Sequence, residues 1–145
     1  MIYWFTGQPS HGKTVLAKML KEYFTNEKVF HIDGDDLRAL TLNQDYSKQG
    51  RLDNVRGAQK IAQYLHNEGY TVVVSLVSPY IEQRELLKSA LKENIMEFYI
   101  HTTELRERDC YKVADYQKPL KKFIDIDTTI DTPIESLQKI LKNVK

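Results

Sequence analysis

Several absences narrow the field before any motif is read. The 145 residues include one cysteine, Cys110, which excludes an internal disulfide and a cysteine-cluster zinc site. Neither charge is in excess: 21 basic against 20 acidic residues give a formal +1, whereas a general nucleic-acid or membrane-surface binder needs a basic surplus. Apolar runs are only a few residues long, far short of a bilayer span. Met1-Ile2-Tyr3-Trp4 has neither a charged leader nor a cleavage site, so a cytoplasmic protein with no membrane or nucleic-acid partner is expected. With four prolines and six glycines there is no linker, repeat or low-complexity stretch, and a single domain over 1–145 is expected. At 41% hydrophobic and 28% charged residues the chain has globular composition.

Strand-like and helix-like patterns then alternate. Residues 2–6 and 29–32 are short apolar runs, and 72–74 is a valine triplet suited to burial on both faces. Residues 95–101 read as a fourth strand and 129–131 as a fifth. Helical spacing places Leu16, Leu20 and Tyr23 on one face of residues 13–24. It does the same for Val55, Ala58, Ile61, Ala62 and Leu65, and helices are also expected over 81–91 and 104–109. The last helix is signalled by Thr132 as N-cap, Pro133 as first residue and Glu135 completing a capping box. Its expected face is Ile134, Leu137, Leu141 and Val144. This alternation predicts an α/β fold with a mostly parallel five-stranded sheet and helices on both faces.

The chemistry begins immediately after the first strand. Gly7-Gln8-Pro9-Ser10-His11-Gly12-Lys13-Thr14 matches G-x-x-x-x-G-K-[ST] between a strand and a helix. The glycines let backbone N–H groups turn toward a phosphate, and the helix N-terminus adds its positive end. Lys13 supplies a charge to the β and γ phosphates, and the Thr14 hydroxyl a ligand for Mg²⁺. His11 is either a further catalytic group or a solvated loop residue. Asp33 and Asp35 close the second strand at its carboxyl end, where open α/β sheets bind ligands. A carboxylate there can take the proton of a hydroxyl acceptor or hold Mg²⁺, and Arg38 lies one turn on. Arg51 and Asn54 extend the inward stripe of the third helix, where polar side chains make sense facing a polar ligand, whereas Arg56 falls off that stripe. Ser75-Leu76-Val77-Ser78-Pro79-Tyr80 forms the site edge at the end of the buried strand. Arg106, Arg108, Lys112, Lys118, Lys121 and Lys122 suggest a cationic lid, placed at about 109–127. Tyr46 and Phe123 are aromatics in polar surroundings, suited to stacking on a base.

These residues resemble those of the adenylylsulfate kinase (APS kinase) family over most of the chain. Ile32-Asp33-Gly34-Asp35-Asp36-Leu37-Arg38 resembles the family's Leu-Asp-Gly-Asp-Asn-Val/Ile-Arg. Arg51, Asn54, Val55 and Arg56 match Arg-x-x-Asn-Ile-Arg. Residues 75–80 resemble Ser-Leu-Ile-Ser-Pro-Tyr, with Arg84 following. Arg108-Asp109 matches the Arg-Asp before the family's lid, and Lys121, Phe123, Ile126 and Asp127 fit Lys-Gly-Phe-Thr-Gly-Ile-Asp. The resemblance implies a P-loop kinase sheet, ATP and adenosine 5′-phosphosulfate (APS) as small-molecule substrates, Mg²⁺, and a homodimer. It implies Asp35 as catalytic base and metal partner beside Thr14, with Asp33 and Lys13 at the reaction centre. ATP would lie on residues 7–14, that is Gly7, Gln8, Pro9, Ser10, His11, Gly12, Lys13 and Thr14, with Val15 and Arg108. Arg38, Arg51 and Asn54 would hold the phosphosulfate, Tyr46 and Phe123 would sandwich the adenine, and Ser75, Leu76, Val77, Ser78 and Lys121 would complete the acceptor pocket. The chain departs from the family in the Gln-Pro-Ser-His filling of its P-loop, where Leu-Ser-Gly-small is usual. It also departs at Gly50 and Gly57 and in a lid without Lys-Gly-Leu-Tyr. Two other readings remain open at this point: a P-loop kinase with another hydroxylated acceptor, and a nucleotide-binding regulatory module.

Overall fold

A computed structural model describes residues 1–25, 27–106 and 111–145. Five strands, β1 (Ile2–Thr6), β2 (Val29–Asp33), β3 (Thr71–Ser75), β4 (Ile95–His101) and β5 (Ile124–Asp127), form one sheet in the order β2-β3-β1-β4-β5. Every pairing is parallel. Among the described residues five α-helices accompany them: α1 (Lys13–Tyr23), α2 (Gly34–Thr41), α3 (Lys48–Asn67), α4 (Ile81–Leu91) and α5 (Pro133–Leu141). The expected α/β fold is the one observed.

Strand alternation divides the core in two. Ile2, Trp4, Val72 and Val74 point to one face and pack with Leu37, Val55, Ala58 and Leu87 of α2, α3 and α4. Tyr3, Phe5, Val73, Phe98 and Ile100 point to the other and pack with Leu16, Leu20 and Ile140 of α1 and α5. Both faces are thus covered, as an all-parallel sheet requires. Among the described residues no helix is long and apolar enough to cross a membrane.

Four expectations need correction. The fifth strand is residues 124–127, not 129–131: Ile124 and Ile126 alternate with Asp125 and Asp127 and pair with β4, whereas Ile130 is 93% exposed. Residues 104–106 are not helical; the Thr102 hydroxyl takes the Glu104 N–H at 3.1 Å, in a local turn that competes with a helix start. The rest of that expected helix lies outside the described residues. Tyr23 is exposed, and the apolar inner face of α1 is Leu16, Ala17 and Leu20. On α5 the capping box forms as expected, but Ile134 faces outward and Ile140 is the buried anchor.

One buried polar cluster fixes the site's far wall. Arg84 and Glu97, both almost fully buried, pair at 2.9 Å between α4 and β4. Lys88 joins the same carboxylate. The Arg84 guanidinium also donates to the carbonyls of Ser78 and Gln117, and Lys88 donates to that of Lys121. Residues distant in sequence are thereby held to the end of β3.

Candidate functional site

The carboxyl ends of the strands open into a cavity of about 1320 Å³, where ligands bind in such sheets. The phosphate loop forms one wall. Gly7 has φ 152°, and a Cβ there would stand 2.1 Å from the Ile100 carbonyl oxygen, so a side chain is excluded. Gly12 precedes α1 in the left-handed region at φ 103°. Lys13 is 7% exposed, and its Nζ donates to the Gln8 carbonyl at 2.7 Å within the loop itself.

Asp33 joins three elements. Its Oδ1 accepts from Thr14 Oγ1 and from Ser75 Oγ, each at 2.8 Å. Its Oδ2 accepts from the Asp35 N–H at 3.1 Å, capping α2. Burial alone would push this carboxyl up, but the three hydrogen bonds outweigh it and hold Asp33 below the ordinary carboxylate value. His31 reaches the same cluster, 2.7 Å from Ser75 Oγ. Asp35, two residues on, is exposed and lines the cavity. The carboxylate bonded to Thr14 is therefore Asp33, while Asp35 lies at the cavity surface.

The opposite wall comes from α3. It starts at Lys48 with Ser47 as N-cap, early enough to turn both Arg51 and Asn54 toward the cavity, which they line. Asn54 is 8% exposed, and its Oδ1 has no hydrogen-bond partner among the described residues. A buried acceptor without a partner is costly unless a ligand supplies the donor. Arg51 lies 3.8 Å from Asp115. Arg56 pairs at the surface with Asp53, as its place off the stripe suggested.

Arg38 and Tyr46 also line the cavity. The Arg38 guanidinium donates to Asn43 Oδ1 at 3.1 Å and to the Asp45 carbonyl at 3.0 Å, and it lies 4.2 Å from the Tyr46 ring centre. Gly50 permits this turn: a Cβ there would meet the Asp45 carbonyl oxygen at 2.1 Å. The departure from the family's pattern at Gly50 thus has a steric reason.

Of the other anticipated residues, Pro9, Ser10, Val15, Ser75, Leu76, Val77 and Ser78 line the cavity. Ser78 is engaged in the fold, accepting from Trp4 Nε1 at 3.0 Å. Gly7, Gln8 and His11 belong to the loop but not to the cavity lining, and neither do Lys121 and Phe123. Phe123 instead packs edge-on against Tyr99, ring centres 6.3 Å apart. Arg108 lies outside the described residues. Arg106, expected among the lid cations, donates to the Ser10 carbonyl at 3.2 Å and the Thr128 carbonyl at 2.9 Å beside the phosphate loop. Its charge made it a lid residue in the sequence, and no local pattern marked it as a clamp on the P-loop.

A parallel sheet with a phosphate loop after β1, and a carboxylate pair after β2, defines a P-loop phosphotransferase. The adenylylsulphate kinase family model matches residues 1–139. An adenylyl-sulfate kinase of Thermodesulfovibrio yellowstonii is 31% identical over 166 aligned residues, covering 99% of this chain and 83% of its own. A cytidine diphosphoramidate kinase of Campylobacter jejuni is 33% identical over 140, covering 91% and 81%. In three dimensions the chain is similar to the Mycobacterium tuberculosis APS kinase in complex with AMPPNP and APS. That likeness has a TM-score of 0.82 at 21% identity and covers 97% of this chain and 95% of the other. The chain belongs to the adenylylsulphate kinase family.

Proposed function

We propose that the chain transfers the γ-phosphoryl group of ATP to the 3′-hydroxyl of APS, giving 3′-phosphoadenosine 5′-phosphosulfate (PAPS) and ADP. The observation that carries the reading is the shape of the cavity's two walls. A phosphate loop faces an exposed carboxylate, an arginine and a buried amide oxygen that lacks a donor. The first set suits the donor and the second an anionic, hydroxylated acceptor.

Lys13 exchanges the Gln8 carbonyl for the β and γ phosphates, and the P-loop amides and the α1 N-terminus hold the leaving group. Asp35 accepts the proton of the 3′-hydroxyl as its oxygen bonds to the γ-phosphorus and the bond to the β,γ-bridging oxygen breaks. No covalent enzyme intermediate forms. Arg51 binds the acceptor's anion and Asn54 Oδ1 accepts from an acceptor donor group. A hydroxyl and a carboxylate beside the phosphates are the sparse protein donor set that suits Mg²⁺, and Thr14 and Asp33 provide it at 2.8 Å from one another. Bound there, Mg²⁺ would neutralise charge on the transferring phosphates. The assembly in this reading is a cytoplasmic homodimer.

A second acceptor has specific support. Of the two rings expected to sandwich an adenine, only Tyr46 lines the cavity, and a relative at 33% identity is a cytidine diphosphoramidate kinase. Parallel assays with APS and with cytidine diphosphoramidate, each with Mg-ATP, separate the two. A kcat/KM at least tenfold higher for APS is expected, and a preference for the cytidine compound would replace the first reading with the second.

A further inference from the structure

Gln8 stands in the phosphate loop, yet its side chain is spent on another segment. Its Nε2 donates to the Val113 carbonyl at 2.9 Å, and the Val113 N–H donates back to Gln8 Oε1 at 2.9 Å. Two reciprocal amide bonds fix both position and orientation, and Val113 is buried, so water competes poorly for them. The main-chain carbonyl of Gln8 holds Lys13 Nζ at 2.7 Å. One residue therefore touches the phosphate-binding lysine through its backbone and residues 111–117 through its side chain.

Those residues form a strap whose far side meets the acceptor wall. Tyr111, Lys112 and Val113 line the cavity. Asp115 pairs with Arg51 at 3.8 Å, the Tyr116 hydroxyl lies 2.9 Å from Thr6 Oγ1, and the Gln117 N–H donates to the Pro79 carbonyl at 2.8 Å. Two departures from the family's pattern, the P-loop filling and the lid, thus meet in one pair of bonds.

We propose that Gln8 is a positioning residue that sets strap 111–117 against the phosphate loop, so that engagement of the nucleotide by Lys13 is transmitted to the acceptor wall. Release of the Gln8 carbonyl by Lys13 shifts the residue that anchors the strap, and the strap carries that shift to Arg51 and Pro79. The turnover part of the test rests on the kinase reading; the exchange part does not.

The experiment uses the full chain with Gln8→Leu, which removes both side-chain bonds, and Gln8→Glu, which keeps only the acceptor for the Val113 N–H. Amide hydrogen exchange of a peptide spanning 111–117 is followed with and without AMPPNP, alongside AMPPNP affinity and turnover. In the native chain AMPPNP should change exchange in the strap. In Gln8→Leu exchange should be fast and insensitive to AMPPNP, kcat about tenfold lower, and AMPPNP affinity within about threefold of native, with Gln8→Glu intermediate. Native-like exchange in Gln8→Leu would overturn the proposal. So would a loss of AMPPNP affinity equal to the loss of kcat, which would confine Gln8 to shaping the phosphate loop. If APS is not the acceptor, the native chain shows no turnover with it, while the exchange result still decides.

Discussion

The phosphate loop with the β2–α2 corner, and the stretch from Glu104 to Phe123, form two sides of one cavity by different means. In the first region, neighbours in sequence do the work. Gly7 and Gly12 shape the loop, Lys13 and Thr14 follow on α1, and Asp33 caps the helix that carries Asp35. In the second, the described residues have little regular structure and are held from afar. Arg106 reaches Ser10, Val113 reaches Gln8, Gln117 reaches Pro79 and Arg84, and Asp115 reaches Arg51. In the proposed function the first region does the chemistry, and the second places groups around it. Substitutions should therefore separate: in the first they strike the rate, in the second the fold or the acceptor.

The largest effect is expected at Asp35. Asp35→Asn keeps the shape and removes the proposed base, so kcat should fall on the order of 10³-fold while AMPPNP affinity is retained. Stopped-flow turnover with parallel titration checks this, and an unchanged kcat would take Asp35 out of the proton-accepting role. Next is Arg84→Ala, on the positioning side. It leaves the buried Glu97 carboxylate with Lys88 alone and removes the donors to the Ser78 and Gln117 carbonyls, and it should cost about 3 kcal/mol of unfolding free energy in urea. A loss under 1 kcal/mol would show that Lys88 alone satisfies Glu97. Arg51→Ala is smaller and tests the acceptor wall, raising the acceptor KM about tenfold with the ATP KM little changed. An effect on ATP alone would put Arg51 on the wrong wall.

The smallest effect is a pH dependence. Burial holds the His31 imidazole below its ordinary value of 6.5, with Asp33 opposing and Lys21 and Lys18 adding to the shift. Because the folded value is depressed, His31's contribution to stability is full above pH 6.5 and is lost as pH falls through the folded value. The melting temperature should drop between pH 7.5 and 5.5, and His31→Gln should lessen that drop. The same slope in both proteins would assign the dependence elsewhere. Asp33 is depressed too, but its window lies below the ordinary carboxylate value of 3.8 and leaves this range untouched.

The same division explains what could be read from the sequence. The phosphate loop carries a fixed spacing between an apolar run and a helical stripe, so its place in the fold was legible. The valine triplet of β3 and the Thr132 capping box were legible for equally local reasons. Arg51 and Asn54 line the cavity, and helical angle alone carries the stripe backward to them from Val55. By contrast, β5 was displaced because its alternating Ile and Asp residues resemble a polar loop until β4 pairs with them. The Gln8–Val113 pair and the Arg106 clamp have no local signature, since each joins residues roughly a hundred positions apart. Phe123 was assigned to a base by composition, and only the tertiary fold shows Tyr99 beside it.

The most direct test is the stoichiometry of product formation with Mg-ATP and APS, resolved by anion-exchange chromatography for the native chain and Asp35→Asn. PAPS and ADP should appear one for one in the native chain, with neither accumulating in the variant despite retained AMPPNP binding. ADP without PAPS in the native chain would contradict direct transfer to the 3′-hydroxyl, and full PAPS formation by Asp35→Asn would contradict Asp35 as the proton acceptor.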